Sequence, residues 1–315
     1  MKQSQQATIA APVSLSGIGV HSGKPVNLHL HPAQANHGIV FLRTGLPGGE
    51  DRLIDARSLE VTATELCTVV GDRSTGAVAT IEHLMSCLCG LGIDNLLVEI
   101  DGPEVPIFDG SAQAFVEAID GVGLAPGRAP RRYLKILRPV RVELGIGWAE
   151  LRPHARGFQV DVEIKFDNPV IGNQRKAVDL TPAVYRKEIA RARTFGFIGD
   201  VEKLWKAGFA LGASLDNTVA IGEGKIINPE GLRFADEFVR HKMLDAIGDL
   251  SLAGHPILGA YRSFCGGHRL NIAVLKELLS DRANYAIVDG GTRREAGHAE
   301  MGSGVAVPAF APDVH

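Results

Sequence analysis

One long apolar run carries the first chemical signal. Asp236-Glu-Phe-Val-Arg-His-Lys-Met-Leu-Asp-Ala-Ile-Gly-Asp-Leu250 places His241 and Asp245 four residues apart. On a helix that spacing stacks the two side chains on one face, one turn apart, so an imidazole and a carboxylate can share a metal ion. Asp249 follows one turn later, close enough to orient a ligand as a hydrogen-bond acceptor. An isolated His-x-x-x-Asp is ordinarily a surface ion pair. Here Met243, Leu244, Ile247 and Leu250 mark a largely buried helix, in which charges need strong compensation.

A second half-site stands far upstream in Thr80-Ile-Glu-His-Leu84. Glu82 and His83 are adjacent, so they sit about 100° apart around a helix. If His83 binds a metal, Glu82 can point at the water that the metal acidifies and serve as its general base. Seen alone, a Glu-His pair is more often a solvated helix start. Gly266-Gly-His-Arg-Leu-Asn271 puts His268 on a turn just before an amphipathic helix at 271–279. That imidazole could protonate a leaving amine or stabilise an oxyanion, although capping and packing are commoner roles. Thr194, in Arg191-Ala-Arg-Thr-Phe-Gly-Phe197, offers a hydroxyl amid constrained backbone, and His21, in Gly17-Ile-Gly-Val-His-Ser-Gly23, is a candidate substrate contact. The glycines around His21 have neither the spacing nor the βαβ context of a dinucleotide fingerprint, and Gly23-Lys-Pro25 completes no phosphate loop. No His-Glu-x-x-His or Gly-x-Ser-x-Gly motif occurs. Three protein ligands leave one position open, as in catalytic rather than structural zinc sites. Cys87 and Cys89, on nearly opposite helix faces, do not suit a structural site.

These residues need elements to hold them. Residues 26–31 alternate as a strand and 38–42 form a second β-like run. Thr80 is the expected N-cap of a helix at 81–91, with Gly90 and Gly92 as stop signals. A strand at 95–100 and a helix at 111–120 follow, and the Gly-, Pro- and Arg-rich stretch 121–132 is the expected linker. Strands at 133–144, 147–151 and 158–166 then lead to a helix at 236–253. Leu30-His31-Pro32 before Gly38-Ile-Val-Phe41 is echoed by Leu151-Arg152-Pro153 before Gly157-Phe-Gln-Val160. The expected architecture is therefore α+β: two similar lobes, residues 1–126 and 133–300, each a β-sheet packed with helices, with the active site between them. The second lobe carries a strand-helix-strand insert at 197–227, whose apolar residues suit either the core or a lipid chain, and residues 301–315 form a tail.

Composition narrows the function further. The chain has 315 residues, 45% of them hydrophobic and 22% charged, with a net charge of −3, so it can build a large core but offers no basic field for nucleic acid. Residues 1–20 hold one lysine and are broken by Pro12, Ser14, Ser16 and Gly17, unlike a secretory signal. The most apolar segment, 77–100, contains Glu82, His83 and Asp94, so it is not read as a membrane span. Cys67, Cys87, Cys89 and Cys265 are irregularly spaced and read as reduced, mostly buried thiols, which points to the cytoplasm.

Taken in order, Thr80-Ile-Glu-His-Leu84, Gly92-Ile-Asp-Asn95, Val105-Pro-Ile-Phe-Asp-Gly-Ser111, Arg193-Thr-Phe-Gly-Phe197, Leu232 to Leu250 and Gly267-His-Arg-Leu-Asn271 closely resemble the UDP-3-O-acyl-N-acetylglucosamine deacetylase family of lipid A synthesis. The resemblance runs from about Pro12 to Val288. It implies Zn²⁺ on His83, His241 and Asp245, with Fe²⁺ as an alternative occupant. It implies Glu82 as general base, His268 as general acid assisted by Asp249, and Thr194 as an oxyanion donor. It further implies that Lys242 faces the diphosphate, that Phe166 stacks on uracil, that Phe195 and His21 contact substrate, and that the insert forms a passage for the acyl chain. A monomer acting on a UDP-linked acylated N-acetylglucosamine is expected. The competing reading is a metal-containing UDP-sugar-lipid binding protein without catalysis.

Overall fold

The structure is a computed structural model that describes residues 4–290; the expected tail at 301–315 and the end of the second lobe at 300 lie outside the described residues. The first half runs β1 (Gln5–Ile9), β2 (Val13–Ile18), β3 (Pro25–Pro32), β4 (Ile39–Arg43) and β5 (Arg52–Asp55), then a small sheet of β6 (Val61–Ala63), β7 (Val69–Asp72) and β8 (Gly76–Val78). Helix α1 (Glu82–Leu91), β9 (Leu96–Ile100), α2 (Gln113–Val122) and β10 (Leu124–Pro130) complete it. The second half begins with β11 (Arg132–Ile136), β12 (Val140–Leu144), β13 (Gly147–Arg152), β14 (Phe158–Lys165) and β15 (Asn173–Asp179). One helical turn, α3 (Pro182–Val184), precedes β16 (Phe195–Phe197), α4 (Val201–Lys206), β17 (Val219–Gly222) and β18 (Lys225–Ile226). Helix α5 (Glu237–Ser251), β19 (Ile257–Phe264), α6 (His268–Ser280) and β20 (Tyr285–Asp289) follow.

Alternation builds the strands. In β3 the side chains of Val26, Leu28 and Leu30 are buried while Asn27 and His29 turn outward, as a period of two requires. The two main sheets share one topology. In the first, β2, β3, β9, β4 and β5 are neighbours in that order, antiparallel except for the parallel pair β4 and β9. In the second, β12, β13, β19, β14 and β15 repeat the order and directions, with β14 and β19 parallel. A helix enters each central strand (α1 into β9, α5 into β19) and another leaves it. The Leu-x-Pro echo marks equivalent places: it closes β3 and β13, and the runs after it open β4 and β14. The second sheet adds β11, parallel to the start of β19, and β20 beyond it.

Two expectations change. The stretch 121–132 is no loose linker, because Leu124–Pro130 forms β10 and pairs antiparallel with β1. Its prolines are tolerated because β1 is its one strand partner, which leaves the other edge free of ladder bonds. The run 133–144 is two strands, separated by Leu137, Arg138 and Pro139. Strand β15, which the sequence left unassigned, is mostly polar with Ala177 and Val178 as its apolar residues; it is an edge paired along its whole length with β14. The insert does form a β-α-β unit, with β16 parallel to β17.

Helices α1 and α5 pack along each other, and α5 and α6 cover the second sheet. Nearly every residue of α1, and most of α5, is buried, so both are central rather than surface helices. Their close approach depends on Gly248, where a Cβ would overlap the carbonyl oxygen of Glu82. A single contiguous hydrophobic cluster joins Leu28, Phe41 and Leu84 from the first half to Val160, Leu244 and Leu275 from the second.

Candidate metal centre and active site

The segment leading into α1 is bent sharply. Thr80 adopts a φ of 55°, outside the range that β-branched residues favour. It is therefore not the N-cap expected of it; that place is taken by Ile81, and the Thr80 hydroxyl instead donates to Glu104 Oε1 at 2.8 Å. Gly92 ends the helix in the left-handed conformation, as expected, whereas Gly90 is not a stop but a helical residue packed under the Tyr185 ring. Strain of this kind costs about 1–3 kcal/mol and persists where surrounding contacts over-determine it. Here it delivers Glu82 and His83, side by side, to the middle of α5.

The donor atoms of His83, His241 and Asp245 all lie within 4.8 Å of one another, and all three residues are buried. Asp245 Oδ1 stands 3.4 Å from His241 Nε2 and 3.7 Å from His83 Nε2. The Ala192 carbonyl can only accept, so His241 Nδ1, 3.1 Å away, carries the proton, and the Nε2 lone pair faces the carboxylate. Burial lowers the proton affinity of both imidazoles, and the neighbouring His241 helps bring His83 down to about 3; both rings are neutral at pH 7. Burial acts against the Asp245 charge, but His241 and Lys242 outweigh it and hold the carboxyl well below the usual range. Its Oδ2 accepts from Lys242 Nζ at 2.9 Å, yet Oδ1 has no hydrogen-bond donor among the described residues. A buried anionic oxygen without a donor, facing the Nε2 atoms of two neutral imidazoles, is an unfavourable arrangement unless a cation lies between them. Two nitrogens and one carboxylate oxygen suit Zn²⁺ or Fe²⁺.

Beside this triad stand two titratable groups with opposed shifts. Burial, reinforced by Asp249 and Asp245 and opposed by His268, pushes Glu82 up to about 7. His268 is the first residue of α6, not part of a turn before it, and its Nδ1 lies 2.9 Å from Asp249 Oδ2. Burial works against its charge, but Asp249 and Glu82 outweigh it and raise the imidazole to about 9. His268 Nε2 faces Glu82 Oε1 at 3.8 Å. Asp249 is itself fixed: Oδ1 accepts from Thr68 Oγ1 at 2.6 Å and Oδ2 from Asn271 Nδ2 at 2.8 Å. A carboxylate and an imidazolium on either side of one small space can take a proton and give one.

Residues 6–280 match the model of the family described as UDP-3-O-acyl N-acetylglycosamine deacetylase. Proteins of Brucella ovis, Brucella canis and Brucella suis, each named UDP-3-O-acyl-N-acetylglucosamine deacetylase, are 50% identical to the chain over 285 residues, 90% of this chain and 98% of each relative. The chain belongs to this deacetylase family. It is accordingly an amide-cleaving enzyme of α+β fold, built around a triad that could hold a metal ion.

For a deacetylase of this family, the surroundings of the triad matter as much as the triad. A cavity of about 340 Å³ opens beside Glu82, His83 and Thr194 and runs under the β-α-β insert between Phe197, Val201, Leu204 and Leu215. Thr194 is placed by its N–H, which donates to the Gly110 carbonyl at 2.7 Å. His21 borders the same cavity; its Nδ1 accepts from Ala210 N–H at 3.3 Å and its ring meets Phe209 edge-on. Phe166 is not in the cavity wall. It belongs to an aromatic ladder in which Phe195 touches Phe166, Phe238 and His241. Lys242 is tied to Asp245 and sits 5.7 Å from the centre of the Phe195 ring, with a quarter of its side chain exposed.

Sequence reasoning passed over several polar residues that hold this site. Thr68 binds both Asp249, through its hydroxyl, and Glu82, through its N–H. Buried Glu104 accepts from Thr80 and from the N–H groups of His21 and Ser22, so it positions both segments. Neither has a motif of its own, since Glu104 stands in what reads as a turn and Thr68 beside an unremarkable Cys67. No helix among the described residues is long and apolar enough to cross a membrane.

Proposed function

We propose that this chain hydrolyses the N-acetyl group of UDP-3-O-(3-hydroxyacyl)-N-acetylglucosamine, releasing acetate in the committed step of lipid A biosynthesis, with Zn²⁺ on His83, His241 and Asp245. The observation that carries the metal is the donorless Asp245 Oδ1 between two neutral imidazoles. When bound, the cation supplies Lewis acidity, which polarises the acetamide carbonyl and makes water a better proton donor. Glu82 takes a proton from the attacking water. The Thr194 hydroxyl donates to the oxyanion that develops on the carbonyl oxygen. His268, kept protonated by Asp249, gives its proton to the departing amine nitrogen, so that acetate and a free amine result.

The apolar cavity beneath the insert supports a passage for the acyl chain, since its walls are formed by Phe197, Val201, Leu204 and Leu215. Lys242, Phe166, Phe195 and His21 are assigned to substrate: Lys242 to the diphosphate, Phe166 to the uracil face, Phe195 and His21 to the sugar and chain entrance. This reading treats residues 1–126 and 133–300 as the two lobes of one cytoplasmic, monomeric enzyme. The test is acetate release by metal-analysed protein from UDP-3-O-acyl-N-acetylglucosamine and from UDP-N-acetylglucosamine lacking the acyl chain. Chelator-sensitive turnover that strongly favours the acylated compound is expected. Zinc-loaded protein inert toward the acylated compound would sink the proposal.

A further inference from the structure

The carbonyl that sets the His241 tautomer belongs to Ala192, and the residue after it is unusually tightly held. Arg193 is 2% exposed, and its guanidinium binds Glu237 through Nε at 2.9 Å and Nη2 at 3.2 Å. Its backbone N–H also donates to Glu237 Oε1, at 3.0 Å. The remaining guanidinium donors reach Glu230 Oε1 and the Gly231 carbonyl, both at 2.7 Å. Glu237 is fully buried in the first turn of α5, one turn before His241, and its Oε2 also accepts from the Arg233 N–H at 2.6 Å. One carboxylate therefore receives four donors and stitches the 192–194 segment to the helix that carries His241 and Asp245.

We infer that the buried Glu237–Arg193 pair is a positioning clamp, which holds the Ala192 carbonyl against His241 Nδ1 and Thr194 at the cavity so that metal affinity and oxyanion contact are set together. The peptide between Ala192 and Arg193 is the link. Its carbonyl faces the imidazole while its N–H is bound to the carboxylate, so the peptide plane cannot rotate without breaking one bond or the other. The next residue places its own N–H on Gly110, which carries the same constraint to the Thr194 side chain. A hydrogen-bonded partner on the far side of a metal-binding imidazole fixes ring orientation and donor strength, and losing such a partner typically weakens metal binding about 10- to 100-fold. A plain stability role for the pair would not act on the metal at all.

This inference rests on the metal reading proposed above, and the experiment separates the two. Glu237→Gln and the milder Arg193→Lys are compared with wild type and with Leu28→Ala, a core truncation in β3 that is not one of the site residues. Each protein is stripped, its affinity for Zn²⁺ is measured by chelator competition, and the visible spectrum of its Co²⁺ form is recorded. The clamp predicts a Kd about 10- to 100-fold weaker and an altered Co²⁺ spectrum in both clamp variants, with the Leu28→Ala protein unchanged in both. Should Glu237→Gln fail to fold, Arg193→Lys, which keeps the charge but loses the fork, still decides. Clamp variants that lose thermal stability like Leu28→Ala while keeping wild-type affinity and spectrum would overturn the inference. Wild-type protein that binds no divalent metal would sink the metal reading instead.

Discussion

Glu82 and His268 sit 3.8 Å apart in one buried space, and each is shifted so that it can exchange a proton near neutrality. A base works only when deprotonated, so activity should rise with pH through the Glu82 value of about 7. An acid works only when protonated, so activity should fall as pH passes the His268 value of about 9. A bound cation favours the carboxylate and disfavours the imidazolium, which moves both limbs to lower pH. A bell-shaped profile of kcat/KM is expected, and Asp249→Asn, which removes the strongest support of the imidazolium, should bring the alkaline limb to lower pH. An unmoved alkaline limb would show that His268 is not the group titrating there. Glu82→Gln should lower kcat by about 10²–10⁴-fold with metal still bound, whereas His83→Ala should lose the metal itself. Metal content measured beside turnover tells the two apart.

At the scale of elements, the site exists because α1 and α5 touch. Gly248 lies between Asp245 and Asp249 along α5, against the backbone of Glu82. A methyl group there meets a carbonyl oxygen that cannot swing away, so Gly248→Ala must separate the helices. We expect a loss of about 1–3 kcal/mol or more in stability, since overpacking a close helix contact has that cost. Zinc affinity should fall with it; denaturant unfolding and chelator competition on the same preparation measure both. The insert makes a separate prediction. Leu204→Trp fills the cavity beneath α4 and should raise KM for the acylated substrate while leaving zinc affinity at the wild-type value. Weakened zinc binding in that variant would mean that the insert shapes the metal centre and not the chain passage.

Across the whole molecule, one hydrophobic cluster runs through both sheets and the helices between them. A metal on the triad would join His83 from the first half to His241 and Asp245 from the second, so its binding free energy would add to the stability of the folded chain. At free zinc a hundredfold above Kd this linkage is worth about 2.7 kcal/mol, or roughly 4 °C in Tm for a protein of this size. Calorimetry before and after chelation should show a drop of that order in a single transition. An unchanged Tm would mean that the cation does not bind across the two halves.

The chain itself determined the residues and their local settings. His241, Asp245 and Asp249 share one stripe of α5 because a spacing of four is a helical turn, and the alternating β3 and apolar α1 were readable for the same reason of period. The Leu-x-Pro echo likewise announced two sheets of like topology, because equivalent strands end at equivalent turns. What periodicity cannot carry is pairing between distant segments. Strand β10 looked like linker because its hydrogen bonds are supplied by β1 at the other end of the first half, and β15 went unassigned because a polar edge strand buries little. Thr68, Glu104 and Glu237 were invisible as site residues for a related reason: each acts through a partner far along the chain. Only the tertiary structure brings His83 across to Asp245, because that meeting depends on a side chain missing at Gly248 and a bend at Thr80, and neither has a period to read.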